Sequence, residues 1–353
     1  MNLKLVRPFL RIFYPISILW EMVYRLRRFL YDVGYFKQNN FKVPVISIGN
    51  LALGGTGKTP FTLWLGKYLN DKNKRVMVLT RGYKGKLEKK SGIIRSKNIL
   101  SYNPYEYGDE ALVICRHLKD SSVVVGRDRS QNLRYYFEEE KPDIVLLDDG
   151  HQHLKVARNL NFVLFDATLP LEQYSAPPTG YLREGLTALK DADAIILGRV
   201  DLVSLEHLNK LEKMLKKYCL VDVPLAKIKY VPNSVKNIAY QNVLEVSELS
   251  GKNVMAVTGI ASPNSFTGLL ESLGAVVKAE FFYPDHHFYT SEEIEQLLSV
   301  SKKEKLYLLT TEKDIVKIRK VSQSLEILYI DINIVFEEGE REIKDLVDSV
   351  VKR

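Results

Sequence analysis

The chain has 353 residues, 46% of them hydrophobic, enough to bury a sizeable core and to suggest two domains. Its two cysteines, Cys115 and Cys219, are far apart and lack metal-type spacing, which excludes a disulfide framework and a zinc site and suits a reducing compartment. The formal net charge is +8, and residues 1–40 alone, with seven cations against Glu21 and Asp32, hold +5 of it. With no recognition module or further basic stripe elsewhere, nucleic acid is set aside as a partner and a membrane surface is expected. Nothing in the sequence identifies a protein partner.

Residues 9–33, placed on a helix, gather Phe9, Phe13, Ile16, Trp20, Val23, Leu26 and Leu30 on one side. Arg7, Arg11, Glu21, Arg25, Arg28 and Asp32 fall on the other, and Arg27 intrudes on the apolar face. Pro15 is expected to kink this segment or to start a second helix. The uncharged run Ile12–Trp20 is too short to span a bilayer, and no small-residue cleavage site follows it, so a signal peptide is not expected. Two arrangements stay open. The helix packs on the core, or it lies in a membrane interface with its arginines on anionic headgroups.

Val43–Pro60, VPVISIGNLALGGTGKTP, is an apolar β-type run that breaks into a glycine-rich loop ending Gly57-Lys58-Thr59. Strand, glycine loop and helix start together form the context of a phosphate-binding loop. Gly54, Gly55 and Gly57 let the backbone N–H groups around Thr56 close on phosphate oxygens, and the helix beginning near Lys58 aims its positive end at the same anion. Lys58 would reach the β- and γ-phosphates and the Thr59 hydroxyl would ligate Mg²⁺. Ala52 replaces the usual first glycine of G-x-x-x-x-G-K-T, so the loop is a variant. A nucleoside triphosphate site is expected.

Farther on, Arg75–Thr80, Ser122–Val125, Asp143–Asp148, Asn161–Asp166 and Ala192–Leu197 read as buried strands, with helices over Asp109–Leu118 and Ser204–Lys217. A second series has strands at Asn253–Thr258, Ala275–Phe282, Leu306–Thr310 and Leu325–Ile330, and helices at Pro263–Leu273, Ser291–Val300 and Ile343–Val351. The predicted fold is α/β: a P-loop NTPase-like parallel sheet with helices on both faces, plus a second, smaller α/β lobe. The expected division is a basic amphipathic segment over 1–40, a kinase-type domain over 41–222, an extended connector over 223–250 and a C-terminal domain over 251–353.

The strand at Asp143–Leu147 ends in Asp148-Asp149-Gly150-His151-Gln152-His153, and an acidic pair at the carboxyl end of a buried strand suits Mg²⁺ on a nucleotide. Gln152 and His153 are candidates for phosphate or substrate contact, or else local caps. Asp109-Glu110 opens a helix, and Asp285-His286-His287 follows a strand of the second lobe. Asp109 and one of these histidines would form a carboxylate–imidazole pair across the cleft, suited to taking a proton from an acceptor hydroxyl. Arg183-Glu184 would offer charge to a phosphoryl group and a carboxylate to the metal, and Arg81 and Arg129 stand near strand ends as further substrate candidates. Thr310-Thr311-Glu312-Lys313-Asp314 approaches the guanine-reading [NT]-K-x-D pattern, but its lysine comes one place late.

Taken together, GNLALGGTGKTP, TRGYKG, YGDEA, GRDR, DDGHQH, GYLRE, VTGIASP, YPDHH and TTEKD resemble, in order and rough spacing, the tetraacyldisaccharide 4'-kinase family. The resemblance runs from the N-terminal segment to about residue 320. It implies a two-lobed kinase, peripheral on the cytoplasmic face of a bacterial inner membrane. Such a kinase moves the ATP γ-phosphate to the 4'-hydroxyl of a tetraacyldisaccharide 1-phosphate. By resemblance Lys58 and Thr59 match the phosphate and Mg²⁺ ligands, Asp148 and Asp149 the Walker-B acids, Asp109 the base, His286 its partner, and Arg183 and Glu184 the Arg-Glu pair. Departures are His151, where the family commonly has an apolar or aromatic residue, and the APPTGYLRE loop. The rival reading is a P-loop ATPase or GTPase acting as a switch or metallochaperone. The lack of metal-type cysteines and of a true [NT]-K-x-D weighs against it.

Overall fold

The computed structural model describes residues 11–351, and of Arg11 only the backbone. A 3₁₀ turn leads into helix α1, Tyr14–Asp32. Pro15 stands in the first turn of α1, where its missing N–H is no loss, so it starts the helix rather than kinking it. Next come β1 (Val45–Asn50), α2 (Lys58–Asp71), β2 (Val76–Thr80), β3 (Gly92–Arg95), a single helical turn at Pro104–Tyr107 and α3 (Asp109–His117). They are followed by β4 (Ser122–Val125), α4 (Arg129–Glu140), β5 (Ile144–Asp148), β6 (Leu160–Asp166), β7 (Ala194–Gly198), α5 (Leu205–Lys216), β8 (Leu225–Asn237) and β9 (Asn242–Leu244). The last series is β10 (Asn253–Thr258), α6 (Pro263–Ser272), β11 (Val276–Phe282), α7 (Ser291–Glu304), β12 (Tyr307–Thr311), α8 (Glu312–Ile318), β13 (Ile327–Glu338) and α9 (Glu340–Val351).

These elements form two compact units that interleave in sequence. The first takes the described parts of Met1–Thr80 and Ile334–Arg353 together with Asp128–Tyr230; the second takes Arg81–Arg127 and Val231–Asn333. This differs from the linear division at 222 and 251. The stretch expected as a connector holds β8 and β9, and residues 81–127 belong with the later lobe. Two of the four crossings were invisible because β8 and β13, 13 and 12 residues long, pass from one unit into the other without a loop to mark them.

In the first unit the strand order is β8-β7-β6-β1-β5-β2, and every pairing is parallel. β1, β2, β5 and β7 are buried at each residue, as strands covered on both faces must be. Phe61 of α2 fills the core beside them, edge-on to Phe162 and packed with Trp64 and Phe336. In the second unit β11-β10-β12-β13 are parallel, while β3 pairs β4 and β9 pairs β8 antiparallel. Its core is built from Val254, Ala256, Phe266, Leu270, Leu309, Leu328 and Ile330.

Helix α1 is inside out. Only Ser17 and Arg28 of its residues are buried, and Glu21, Tyr24 and Tyr31 continue the same face at helical spacing. That polar edge grips the first unit: Ser17 Oγ meets Thr179 Oγ1 at 2.8 Å and Arg28 Nε donates to Glu184 Oε2 at 2.7 Å. Arg28 also pairs with Asp191, and the Trp20 indole donates to the Arg183 carbonyl. Ile16, Leu19, Val23, Leu26 and Phe29 point away and are each more than half exposed. The apolar face therefore does not pack on the core. Arg28, expected beside lipid headgroups, is instead a buried anchor because a carboxylate waits for it. Arg7 lies outside the described residues.

Removing one partner of a buried ion pair strands the other. Arg28→Gln should cost roughly 3–5 kcal/mol of stability in urea unfolding. Arg25→Gln, which breaks only a solvent-exposed pair with Glu21, should leave the transition almost where it was. Equal midpoints for the two variants would refute the anchoring role.

Candidate active site

The phosphate loop leaves β1 at Asn50, whose buried amide donates to the Ala52 carbonyl at 2.7 Å and whose Oδ1 accepts from Lys58 Nζ at 3.1 Å. Ala52 is bridged antiparallel to Leu182, flanked by Leu53 N–H to Tyr181 O at 2.6 Å and Arg183 N–H to Leu51 O at 2.5 Å. This strand-like stretch needs no left-handed residue, which is why alanine serves where glycine is usual. Gly54 and Gly57 do need glycine: their φ values are +101° and +80°, and a Cβ on Gly57 would collide with the Tyr230 hydroxyl. Gly57 caps α2, and no acidic side chain occupies the first turn of that helix, so its N–H groups and dipole face an incoming anion.

Beside the loop, Asp148 ends β5 in register with Ile48 of β1. It is buried and accepts from Thr62 Oγ1 at 3.2 Å and Thr80 Oγ1 at 2.9 Å. Asp149 takes a left-handed backbone, φ +53°, and so turns away from the strand direction. Its carboxylate lies 3.4 Å from Lys58 Nζ and accepts from Arg183 Nη1 at 2.9 Å on both oxygens. Burial alone would raise its pKa, but the charges of Lys58 and Arg183 outweigh that and hold it well below the usual carboxylate range. Thr59 stands half-buried in the first turn of α2. Thr59, Asp148 and Asp149 offer the hard oxygens that Mg²⁺ prefers, and one or two carboxylates suffice when phosphates and waters complete its shell. The glycine cradle and these donors fit a nucleotide with its metal. Among the described residues, three metal-type ligands come together only at His117, Glu312 and Asp331 in the second unit. There Arg116 and Lys236 already neutralise the carboxylates.

The other candidates divide. Arg183 reaches Asp149, whereas Glu184 is taken by Arg28 and serves the α1 anchor. Gln152 is a brace, donating to Asn50 O at 2.9 Å while its own carbonyl accepts from Arg27. His153 is driven down to about 3 by burial, with the Arg129 charge adding to it. His151 is wholly buried against Asn161 and pushed well below its ordinary value by burial and by Arg28 and Arg158. It is a core residue. Arg129 is buried at the start of α4. Arg81 belongs to the second unit, where it pairs with Glu88 and lies over Tyr83.

Asp109 and His286 do meet. His286 Nδ1 lies 2.9 Å from Asp109 Oδ2, and both side chains are more than nine-tenths buried. Both residues belong to the second unit, so the pair forms within one unit and not across a cleft between lobes. Asp109 Oδ1 accepts the Glu110 N–H at 2.8 Å. Burial opposes ionisation here, yet the His286 hydrogen bond and charge, aided by Lys313 and Lys317, hold the carboxyl below its ordinary value. An ionised Asp109 implies that Nδ1 carries the proton and donates. His286 adopts φ +62°, a conformation that histidine tolerates at a cost, fixed by its N–H donating to Gly259 O at 2.9 Å.

Some members of the site were missed. Arg199, at φ +60° after β7, donates to the Gly55 carbonyl at 3.2 Å and pairs with Asp166. Tyr230 closes over Thr56 and Gly57 from β8. A glycine-arginine step after a buried strand was a usable signal for the first; Tyr230, far along the chain, gave none.

The sequence profile of the tetraacyldisaccharide-1-P 4'-kinase family matches residues 9–352. The chain belongs to that family. It is an ATP-dependent kinase. A tetraacyldisaccharide 4'-kinase of Bdellovibrio bacteriovorus is 32% identical over 98% of this chain and 100% of its own, and that of Desulfotalea psychrophila 36% identical over 88% and 89%. A crystal structure of Aquifex aeolicus LpxK in complex with ATP superposes with a TM-score of 0.79 at 30% identity, covering 96% of this chain and 98% of that one.

The buried imidazoles of this kinase should make it acid-sensitive. Unfolded histidine takes a proton near pH 6.5, while folded His151 and His153 refuse it until far lower. The unfolded state then binds more protons, and stability is lost as pH falls from about 6.5 through the depressed folded values. Urea unfolding at a series of pH values should show a shallower loss in His151→Phe than in the wild type. Parallel curves would mean that His151 is not held neutral.

Proposed function

We propose that this kinase transfers the γ-phosphate of ATP to the 4'-hydroxyl of a tetraacyldisaccharide 1-phosphate. The phosphate loop would bind the nucleotide and Asp109 would act as the proton acceptor. The carrying observation is the pair of cations beside the phosphate loop, Lys58 and Arg183, converging on one carboxylate at 3.4 and 2.9 Å. Two positive charges fixed before substrate arrives suit the charge that spreads over a transferring phosphoryl group. Thr59, Asp148 and Asp149 would hold Mg²⁺, whose charge neutralises phosphate oxygens when bound. Asp109 would take the hydroxyl proton on its carboxylate as the oxygen bonds to phosphorus and the bond to ADP breaks. His286 and the Glu110 N–H keep that carboxylate oriented.

The outward apolar face of α1 supports peripheral attachment to a lipid surface, where an acylated acceptor resides, on the side that supplies ATP. Among the described residues no helix is long and apolar enough to cross a membrane. Buried apolar area, more than arginine charge, would carry this attachment, since Arg28 is engaged inside the protein.

Lys58→Ala should lower kcat on the order of 10²–10³-fold in a folded enzyme. Asp109→Asn keeps the size of the side chain and should slow transfer by about 10²–10⁴ while ATP still binds. Near wild-type transfer in Lys58→Ala would sink the donor-site assignment. Labelled ATP with the lipid acceptor also separates this reading from simple hydrolysis, which yields labelled free phosphate alone. For attachment, Leu19→Ser, Leu26→Ser and Phe29→Ser combined should abolish flotation with anionic phospholipid vesicles at an unchanged melting temperature. Undiminished flotation would remove α1 as the attachment surface.

A further inference from the structure

Lysine is seldom wholly buried, because removing an ammonium from water costs several kcal/mol unless carboxylates meet it. Lys317, on α8, is 3% exposed. Its Nζ lies 2.8 Å from Asp314 Oδ1, one helical turn earlier, and 3.6 Å from Asp109 Oδ2, the oxygen that His286 also contacts. Asp314 is itself fully buried, and its Oδ2 accepts from Thr258 Oγ1 at 3.0 Å, the Gly259 N–H at 3.1 Å and Thr311 Oγ1 at 2.6 Å. Three donors on one oxygen leave the other for the ammonium. A structural ion pair would be complete with Asp314 alone.

Gly259 joins the two supports of Asp109. Its N–H donates to Asp314, which holds Lys317, and its carbonyl accepts from the backbone N–H of His286. A shift of one support would be felt by the other through a single residue. We infer that Lys317, oriented by Asp314, is a positioning residue for the base: it holds the Asp109 carboxylate ionised and aimed, in concert with His286. This rests on the proposed role of Asp109. The charged groups around Asp109 are His286 from the 284–287 loop, with Asp285 beside it, Lys317, Lys313 and Asp314 from α8, and Glu110 from α3, which Lys313 pairs. Loss of the Lys317 charge would raise the pH at which Asp109 takes a proton, so the acid limb of the rate profile moves upward.

The test uses the full chain with ATP and the tetraacyldisaccharide 1-phosphate acceptor. It compares Lys317→Met, Lys317→Arg, the charge-balanced Lys317→Met/Asp314→Asn and Asp109→Asn by melting temperature, KM for ATP, kcat and the pH dependence of kcat/KM. Lys317→Met should lose roughly ten- to a hundredfold in kcat, the scale at which residues behind a reactive group act. Its acid limb should move up, with KM for ATP unchanged. Lys317→Arg should keep the limb in place. The double variant removes one charge of each sign, so it recovers the melting temperature and keeps the slow kcat and the shifted limb. If the double variant also recovers wild-type kcat and limb, Lys317 is only structural and the inference is overturned. If Asp109→Asn is inactive while Lys317→Met shows an unshifted limb, the inference fails and the base survives. An active Asp109→Asn removes the base itself, and Lys317 with it.

Discussion

Taking the Arg28 guanidinium and the Glu184 carboxylate out of water is expensive, and their 2.7 Å contact offsets the cost only while both are present. Much of the first unit hangs on that contact. Glu184 is followed backward by Arg183, which grips Asp149, and by Leu182 and Tyr181, which brace the phosphate loop at Ala52 and Leu53. The charge pair thus joins the helix with the outward apolar face to the loop that meets nucleotide. A helix held only by apolar contacts would have had to bury the face that it leaves free.

The second unit solves a similar problem by similar means. Asp109, Asp314 and Lys317 are buried charges, and each is tolerated because backbone N–H groups, threonine hydroxyls or opposite charges meet it. In both units the polar groups converge at strand ends, at Asn50, Thr80 and Asp148 in one and at Thr258 and Thr311 in the other. That is where parallel sheets leave their crevices. The apolar strands behind them, buried on both faces, supply the rigidity that keeps these groups in place.

How much of this was legible followed range in sequence. Strands such as Ser122–Val125 and Asn253–Thr258 coincide with their apolar runs, and the phosphate loop lies where its glycines announce it. Local patterns carry local structure. The interleaving of the units did not show. Two of its four crossings fall inside β8 and β13, where composition does not change, and the other two, after Thr80 and Arg127, fall at turns like those between any two elements. The direction of α1 was also hidden: its two faces could be drawn from periodicity, but which one meets protein depends on Glu184, 156 residues away from Arg28. The same distance effect placed Glu184 with a metal in expectation and with a guanidinium in fact. Lys317 drew no notice in the sequence because the groups that fix its partner Asp314, Thr258 and Gly259, lie 56 and 55 residues from that carboxylate.

Backbone strain marks site residues that the local motifs had already named. Asp149 and His286 both sit in the left-handed region, at φ +53° and +62°, where a side chain costs on the order of 1–3 kcal/mol unless its surroundings hold it. Each is held by what it contacts: Asp149 by Lys58 and Arg183, and His286 by Asp109 and the Gly259 carbonyl. In each case the turn carries a side chain off the path of the chain and onto a charged partner. An extended or helical residue at either position would aim elsewhere, and Arg199, at φ +60° and paired with Asp166, repeats the device beside the phosphate loop. Around Asp149 the sheet can supply that energy because β1, β2 and β5 are buried on both faces. The ion pairs then keep the strained rotation from relaxing before substrate arrives.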